Sequence, residues 1–544
     1  MQARRPQLAE LGVFLLVVAL PLVFTPFSAS PFGDPKLVVL TAACLCLVAS
    51  GLSADRRTTM AGAALVIVAA LAAAFGVDPA EALTAQTNSD GSGLITVVCI
   101  AVVASIGGAL PADLRARALR WVVGAAVTVA GLGIASRLVP GPLEDLFPGQ
   151  GLVGSTMGNQ VFAIALVAAA LGVLLTSESL SSSRMWWSQL VVLSVGIASF
   201  GERSSLAFVV VTGVVGLWRR TDRRRRIGKA LVVVALLVLA WQVVAPQLPI
   251  PSTLGSQLTS LTSDRARFVS WRVGLESVAD RPLLGWGPGS TKSAYLANAS
   301  PTDIEITTRG VGDAHNLFVG TLVEMGVLGL VAMVVFGGLL ATRALPRSNE
   351  RAAAFTAALV MSASWLVEPT NLVLAPLLFF FLALAGPVSD DVLELPPKRA
   401  RRALSLTVTV ALSVATIVSV QMLAASSLER WGRLYGETWA LEGALRIQPW
   451  RISSAELLAL SWALDGRAGD EAASRRARDL IAGAVEDHPW DGGVRLVAAD
   501  IETLLRDEAA ARAWIDEHLE RFPGDAEGVG EAAENDRENP LPGA

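Results

Sequence analysis

The long apolar runs of this sequence are nearly empty of charge. That scarcity argues against an ion-coupled pump, which carries ionisable groups or interrupted helices near the bilayer midplane, where only Glu324 stands. Cysteine is scarce too: Cys44, Cys46 and Cys99 all sit in apolar segments, where a thiol behaves as a small hydrophobe, so no metal or redox site is read from them. No GK[ST] follows the glycine-rich turn Gly285 to Gly289 and no other nucleotide motif is found, so an enzyme acting outside the cytoplasm would take an already activated donor, with no cofactor of its own. Nor is nucleic acid indicated as a partner. The net charge of −4 hides a segregation, with arginines between apolar runs and acids concentrated toward the C-terminus.

What is abundant is hydrocarbon. With 544 residues, 53% of them hydrophobic, and a mean hydropathy of +0.53, the chain is too apolar for a soluble multidomain protein and has repeated runs able to cross about 30 Å of bilayer. The expected fold is all-α, a polytopic membrane bundle of about 12 to 13 transmembrane helices. The first apolar run ends near Ser28-Ala29-Ser30, which imitates a cleavage site. Pro31 and the length of the run argue for a first spanning helix instead. Arg4 and Arg5, Arg56 and Arg57, Arg115 to Arg120, Arg184, Arg219 to Arg226, Arg343 to Arg351 and Lys398 to Arg402 fall on alternate loops, hence on one side. The expected arrangement is a cytoplasmic N-terminus and an extracytoplasmic C-terminal domain in the cytoplasmic membrane of a cell.

Residues 1–247 are read as the first membrane half, 248–314 as an extracytoplasmic loop, 315–427 as the second membrane half, 428–523 as a helical domain and 524–544 as a disordered tail. Within the loop, Phe268, Trp271 and Leu275 recur at helical spacing among Arg265, Arg267 and Arg272, which predicts an amphipathic helix from Asp264 to Ala279 along the membrane surface or packed on the bundle. In the C-terminal domain, helical patterns end at Pro449, Pro489 and Pro523, close to the tetratricopeptide period; a plain helical bundle is the other reading.

Candidate chemistry gathers at one membrane face. Arg203 lies at a turn, Arg265, Arg267 and Arg272 on the loop helix, and His315, the histidine of the hydrophobic region, at the start of a span. Guanidinium suits bidentate capture of phosphate and stays charged beside lipid. Duller roles exist for each: a lipid headgroup contact for the arginines, an ion pair of Arg203 with Glu202, an interfacial hydrogen bond for His315. The turn Gly285 to Gly289 offers free backbone and exposed N–H groups to an anion, or simply turns the chain. Glu324, beside Gly326 and Gly329, reads as a helix-packing hydrogen bonder, half a helical rotation away from His315. Asp303, Glu305 and Asp313 are a conceivable cation site, though no metal is expected.

Taken together, Arg267, Trp271, Pro282, Gly285, Gly287, His315, Asn316, Glu324, Gly326 and Gly329 resemble the signature region of the O-antigen ligase and polymerase family. GSTMGNQVFA (154–163), with Asn159, is similar to an upstream element of that family, and GERSSLAF (201–208) to its arginine-bearing turn, with Glu202 where Ser or Thr is more usual. The likeness covers roughly residues 150–385. It implies a metal-independent, inverting glycosyltransferase that moves a glycan from a polyprenyl-diphosphate carrier to an acceptor hydroxyl on a glycan, lipid or protein. In that reading Arg203 and Arg267, with Arg265 and Arg272 nearby, hold the diphosphate and His315 activates the acceptor. Asn159, Asn316 and Asp313 are lesser substrate contacts, and Gly285, Gly287, Gly289, Glu324, Gly326 and Gly329 are structural. A polymerase shares the donor and differs in acceptor; a non-catalytic exporter or scaffold recruiting a protein partner through the C-terminal domain is the reading from another class.

Overall fold

The structure is a computed structural model, described over residues 5–52, 55–85, 93–138, 155–200, 204–219, 224–244, 262–307, 314–344, 349–365, 371–387 and 398–525. These residues form helices and connecting turns, without a β-strand among them. In chain order the membrane half contains α1 (Arg5–Phe14, continued by Leu15–Ala19 and Leu20–Leu22), α2 (Asp34–Ala49), α3 (Arg56–Phe75), α4 (Pro79–Thr84), α5 (Leu94–Gly107), α6 (Ala112–Leu138), α7 (Gln160–Thr176), α8 (Trp186–Phe200), α9 (Ser204–Arg219) and α10 (Arg224–Val244). After these come the loop helices α11 (Thr262–Ser277), α12 (Thr291–Asn298) and α13 (Pro301–Thr307), then α14 (Leu317–Arg343), α15 (Asn349–Ser364), α16 (Leu374–Ala385) and α17 (Lys398–Tyr435). Among the described residues four helices are long and apolar enough to cross a bilayer: α3, α6, α14 and the Leu406–Tyr435 part of α17. Shorter apolar helices, such as α7 and α16, fill the interior, with α7 buried along almost its whole length. An all-apolar helix of this kind has no polar face to show and is enclosed by others.

Water-driven burial does not hold such helices together in lipid; close approach of small residues does. A side-chain carbon at Gly196 would overlap Ala130, which shows how closely α8 lies on α6, and Gly172 meets Thr356 where α7 packs on α15. Hydrogen bonds also tie loop ends together in pairs. Ser28 Oγ bonds Ser426 Oγ at 2.7 Å, Lys36 Nζ donates to the Thr156 carbonyl at 2.6 Å, and Val77 N–H donates to the Trp286 carbonyl at 2.8 Å. At the opposite ends Arg117 pairs with Glu10, Arg343 with Asp55, and Arg115 donates to the Leu384 carbonyl. Every one of these pairs joins two ends that the arginine pattern assigns to a common side.

The C-terminal domain consists of α18 (Thr438–Ile447), α19 (Ile452–Arg467), α20 (Glu471–Asp487), α21 (Gly492–Leu504) and α22 (Glu508–Arg521). Asp470, Asp491 and Asp507 cap α20, α21 and α22 by accepting backbone N–H bonds of the first turn. Its core is built of alanines and branched residues, including Ala459, Ala477, Ile481 and Ala498. Helices α18, α20 and α22 stop two residues before Pro449, Pro489 and Pro523, because a residue preceding proline is steered out of the helical region. The described tail continues to Asp525, whose carboxylate bonds His518 Nε2 at 3.0 Å.

Candidate functional site

The long apolar helix expected after His315 is not continuous. Gly326 has φ +64° and ψ −168°, and α14 breaks there into a short first half and a longer second half. The turn Pro282 to Gly287 supplies what the break removes. Val327 N–H donates to the Pro282 carbonyl at 2.9 Å and Leu328 N–H to that of Leu283 at 3.3 Å. In return the Val323 and Glu324 carbonyls accept from Trp286 N–H and Gly287 N–H, both at 2.9 Å. All four backbone groups are thus satisfied within protein, the condition for irregular backbone at such a place. Only glycine fits this exchange: Gly285 has φ +70°, and a Cβ on it would stand 2.5 Å from the Val323 oxygen, while one on Gly326 would overlap the Leu283 carbonyl. The turn's N–H groups at 286 and 287 therefore do not face outward to an anion, which corrects that expectation.

His315 stands just outside α14, in the left-handed region at φ +45°, a conformation that an L-residue holds only when its surroundings impose it. Asn316 caps the helix, its side-chain oxygen accepting from Phe318 N–H at 2.9 Å and Val319 N–H at 3.1 Å. Leu317 N–H donates to the Trp365 carbonyl at 3.1 Å, which fixes the entry against the end of α15. Because His315 precedes the helix, the half-rotation count separating it from Glu324 does not apply. Glu324 is buried and accepts a hydrogen bond from the Thr291 hydroxyl at 2.9 Å, binding α12 to the broken helix. A cavity of about 50 Å³ lined by Thr96, Thr321, Glu324, Trp365 and apolar side chains lies beside the entry, with room for ordered water.

Helix α11 forms close to its expected span and lies along the first half of α14. A Cβ at Gly274 would sit 3.3 Å from Val319 and 3.4 Å from Val323. One turn later the Ser277 carbonyl accepts from the indole of Trp286, whose backbone holds Val323, so both helices run the same way. Arg267 lies two turns before Gly274 on the same face, about 10 Å nearer the His315 end. It is half-buried there, Arg265 is exposed, and Phe268 projects outward. Arg272 is committed differently. It pairs with Asp303 and, at 3.0 Å, with Glu276, tying α11 to α13. Burial alone would raise the Asp303 carboxyl, but hydrogen bonds from Ser300 and Arg272 outweigh it and hold the group below its ordinary range. The same bond to Asp303, with Glu276, pushes Arg272 up. Asp303 is thus engaged by side chains, and no group of three or more His, Cys, Asp or Glu placed for a metal occurs among the described residues.

Arg203 and Asp313 lie outside the described residues. Ser204 opens α9 a few residues after Phe200, which packs on Gly133 near the end of α6. Asn159 caps α7, accepting from Val161 N–H at 2.8 Å. Sequence reasoning missed the seam with the C-terminal domain. Trp490 stacks edge-on against Trp286 at 5.2 Å between centroids, and His488 Nδ1 meets Asp78 Oδ2 at 2.5 Å. Arg281 lies over the Trp286 ring, 5.5 Å from its centroid. Nothing along the chain signals a pairing of tryptophans about two hundred residues apart.

A helical membrane protein with a broken helix, a histidine directly before its capped start and a basic helix along its first half is the class that fold and site define. Residues 189–334, which contain all of these features, match the family model described as O-antigen ligase, so an O-antigen ligase domain is present there. No curated protein matches the chain.

Proposed function

We propose that the protein is an O-antigen ligase-like glycosyltransferase of the cytoplasmic membrane, transferring a polyprenyl-diphosphate-linked oligo- or polysaccharide to an acceptor hydroxyl at the extracytoplasmic face. The observation that carries this reading is the packing of α11 along the first half of α14, which brings the Arg267 end to the His315 end inside the matched region. A leaving diphosphate gains negative charge in the transition state, and preplaced guanidiniums stabilise it. Arg267 and Arg203 are assigned that role, with Arg265 beside them; the ion pair of Arg272 with Asp303 favours a structural part for it. His315, as neutral imidazole, takes the acceptor proton, and attack opposite the leaving group inverts the anomeric centre. The chain crosses the membrane about 12 to 13 times with the N-terminus cytoplasmic, and the C-terminal helices are a tetratricopeptide-like module. The donor, its glycan, lipid or protein acceptor and the surrounding lipids are the partners; no metal takes part.

The test is His315→Ala in cells that display the glycan. Accumulation of lipid-linked glycan with normal membrane insertion is expected. Unchanged surface glycan would remove the base assignment, and activity lost in chelator and restored by a cation would replace the metal-independent mechanism.

A further inference from the structure

The turn that follows α22 packs on the loop helices α11 to α13. Phe522 is fully buried, yet it has no place in the domain's own core around Ala459, Ile481 and Ala498. It belongs instead to the loop's apolar cluster, with Val273 of α11, Tyr295 and Leu296 of α12, Ala299 and Ile304 of α13. The segment Pro523–Asp525 lies against both α12 and α13, and a Cβ on Gly524 would overlap the Ala299 carbonyl. On the domain side the turn is fixed. Asp525 bonds His518 Nε2 at 3.0 Å, both side chains buried, and Arg521 donates to the Pro489 carbonyl at 2.6 Å.

The loop helices need such a backing. Helices α12 and α13 have eight and seven residues, too short to stand as helices on their own. Tyr295 joins them, its hydroxyl donating to the Asp303 carbonyl at 3.1 Å, and Arg272 joins α11 to the side chain of the same Asp303.

The three sides of α11 meet different surroundings. Gly274 meets α14; Val269 and Val273, roughly a third of a turn round to one side, pack in the loop's cluster; Phe268 and Leu275, about as far round to the other side, are exposed. With that last side open, the cluster is what backs α11 against α14, and Phe522 is the ring that the C-terminal domain contributes to it. Arg267 is on the face toward α14. The place of its guanidinium relative to His315 therefore depends on how firmly α11 is held.

We propose that Phe522 and Gly524 are positioning residues for glycan transfer: the turn they form fixes α11 on α14 and so sets Arg267 at the site. What Arg267 holds rests on the glycosyltransferase reading above; the hold of the turn on α11 does not. The C-terminal domain thereby becomes a working part of the site, reaching it through the loop.

The test uses the full chain in lipid nanodiscs and two variants of opposite kind, Phe522→Ala, which removes the ring, and Gly524→Val, which drives a side chain into the Ala299 carbonyl. Amide hydrogen exchange of α11 should speed up by about tenfold or more while that of α19 to α21 stays at the parent level. Transfer from a polyprenyl-diphosphate oligosaccharide, at saturating donor and acceptor, should fall by about tenfold or more, as a displaced group costs. In an Arg267→Ala background the same substitutions should cost less than about twofold, because both act through one guanidinium. Where exchange in α19 to α21 also rises for one variant, the other decides. Parent-like exchange of α11, or a loss of transfer as large in the Arg267→Ala background as in the parent, would overturn the proposal. A loosened α11 beside parent-rate transfer by Arg267→Ala would keep the hold of the turn on α11 and remove the diphosphate role of Arg267 instead.

Discussion

A methyl group at Gly326 would have to share space with the Leu283 carbonyl, in a backbone conformation that disfavours any side chain. Left-handed geometry and overlap with fixed backbone together predict that Gly326→Ala costs about 2 kcal/mol or more. Gly338→Ala, farther along the same helix where a Cβ meets nothing within 4 Å, should cost nothing. Thermal unfolding in detergent separates the two; equal midpoints would mean that the break is not fixed as described. The glycines were legible in the sequence as a cluster with a structural part. That Gly285 and Gly326 are partners was not, because hydrogen bonds between a turn and a helix interior leave no periodicity behind. Arg272 is a parallel case. Its charge suggested phosphate, yet Asp303, thirty-one residues on and buried, holds it.

Helix α11 was foreseen within two residues at each end, since its aromatic spacing is a local property. Its direction along α14 depends on Gly274, Val319 and Trp286 meeting in space, which spacing does not encode. Two arginines on this element should behave oppositely. Arg272→Ala leaves the buried Asp303 short of a donor and is expected to lower stability by roughly 1 kcal/mol or more, loosening α13. Arg267→Ala is expected to slow transfer by about 10²-fold, more than any change in its unfolding midpoint accounts for. Activity assays paired with unfolding curves check both; a loss of stability in Arg267→Ala with unchanged rate would exchange their roles.

Across the whole molecule, the helical class and its division into membrane and C-terminal parts follow from hydropathy, and the proline stops of α18, α20 and α22 from local sequence. The docking of those parts does not, because it is made by single side chains. His488 is the titrating one. Burial would lower its pKa, but the hydrogen bond and charge of Asp78, with Asp491 and Asp487, outweigh burial and raise it above the ordinary 6.5. A raised pKa means that the contact contributes fully below 6.5 and is lost as pH climbs through the folded value. Protection of the Pro489–Trp490 segment from proteolysis should fall as pH rises from mildly acidic to alkaline, and Asp78→Asn should flatten that dependence. A steeper dependence in the variant would reverse the assignment. The central claim is that His315 performs chemistry at the mouth of the broken helix, and single-turnover transfer from a reconstituted polyprenyl-diphosphate oligosaccharide tests it most directly. The account predicts that His315→Ala binds the donor normally and transfers about 10²- to 10⁴-fold more slowly; transfer within a few-fold of the parent rate would contradict it.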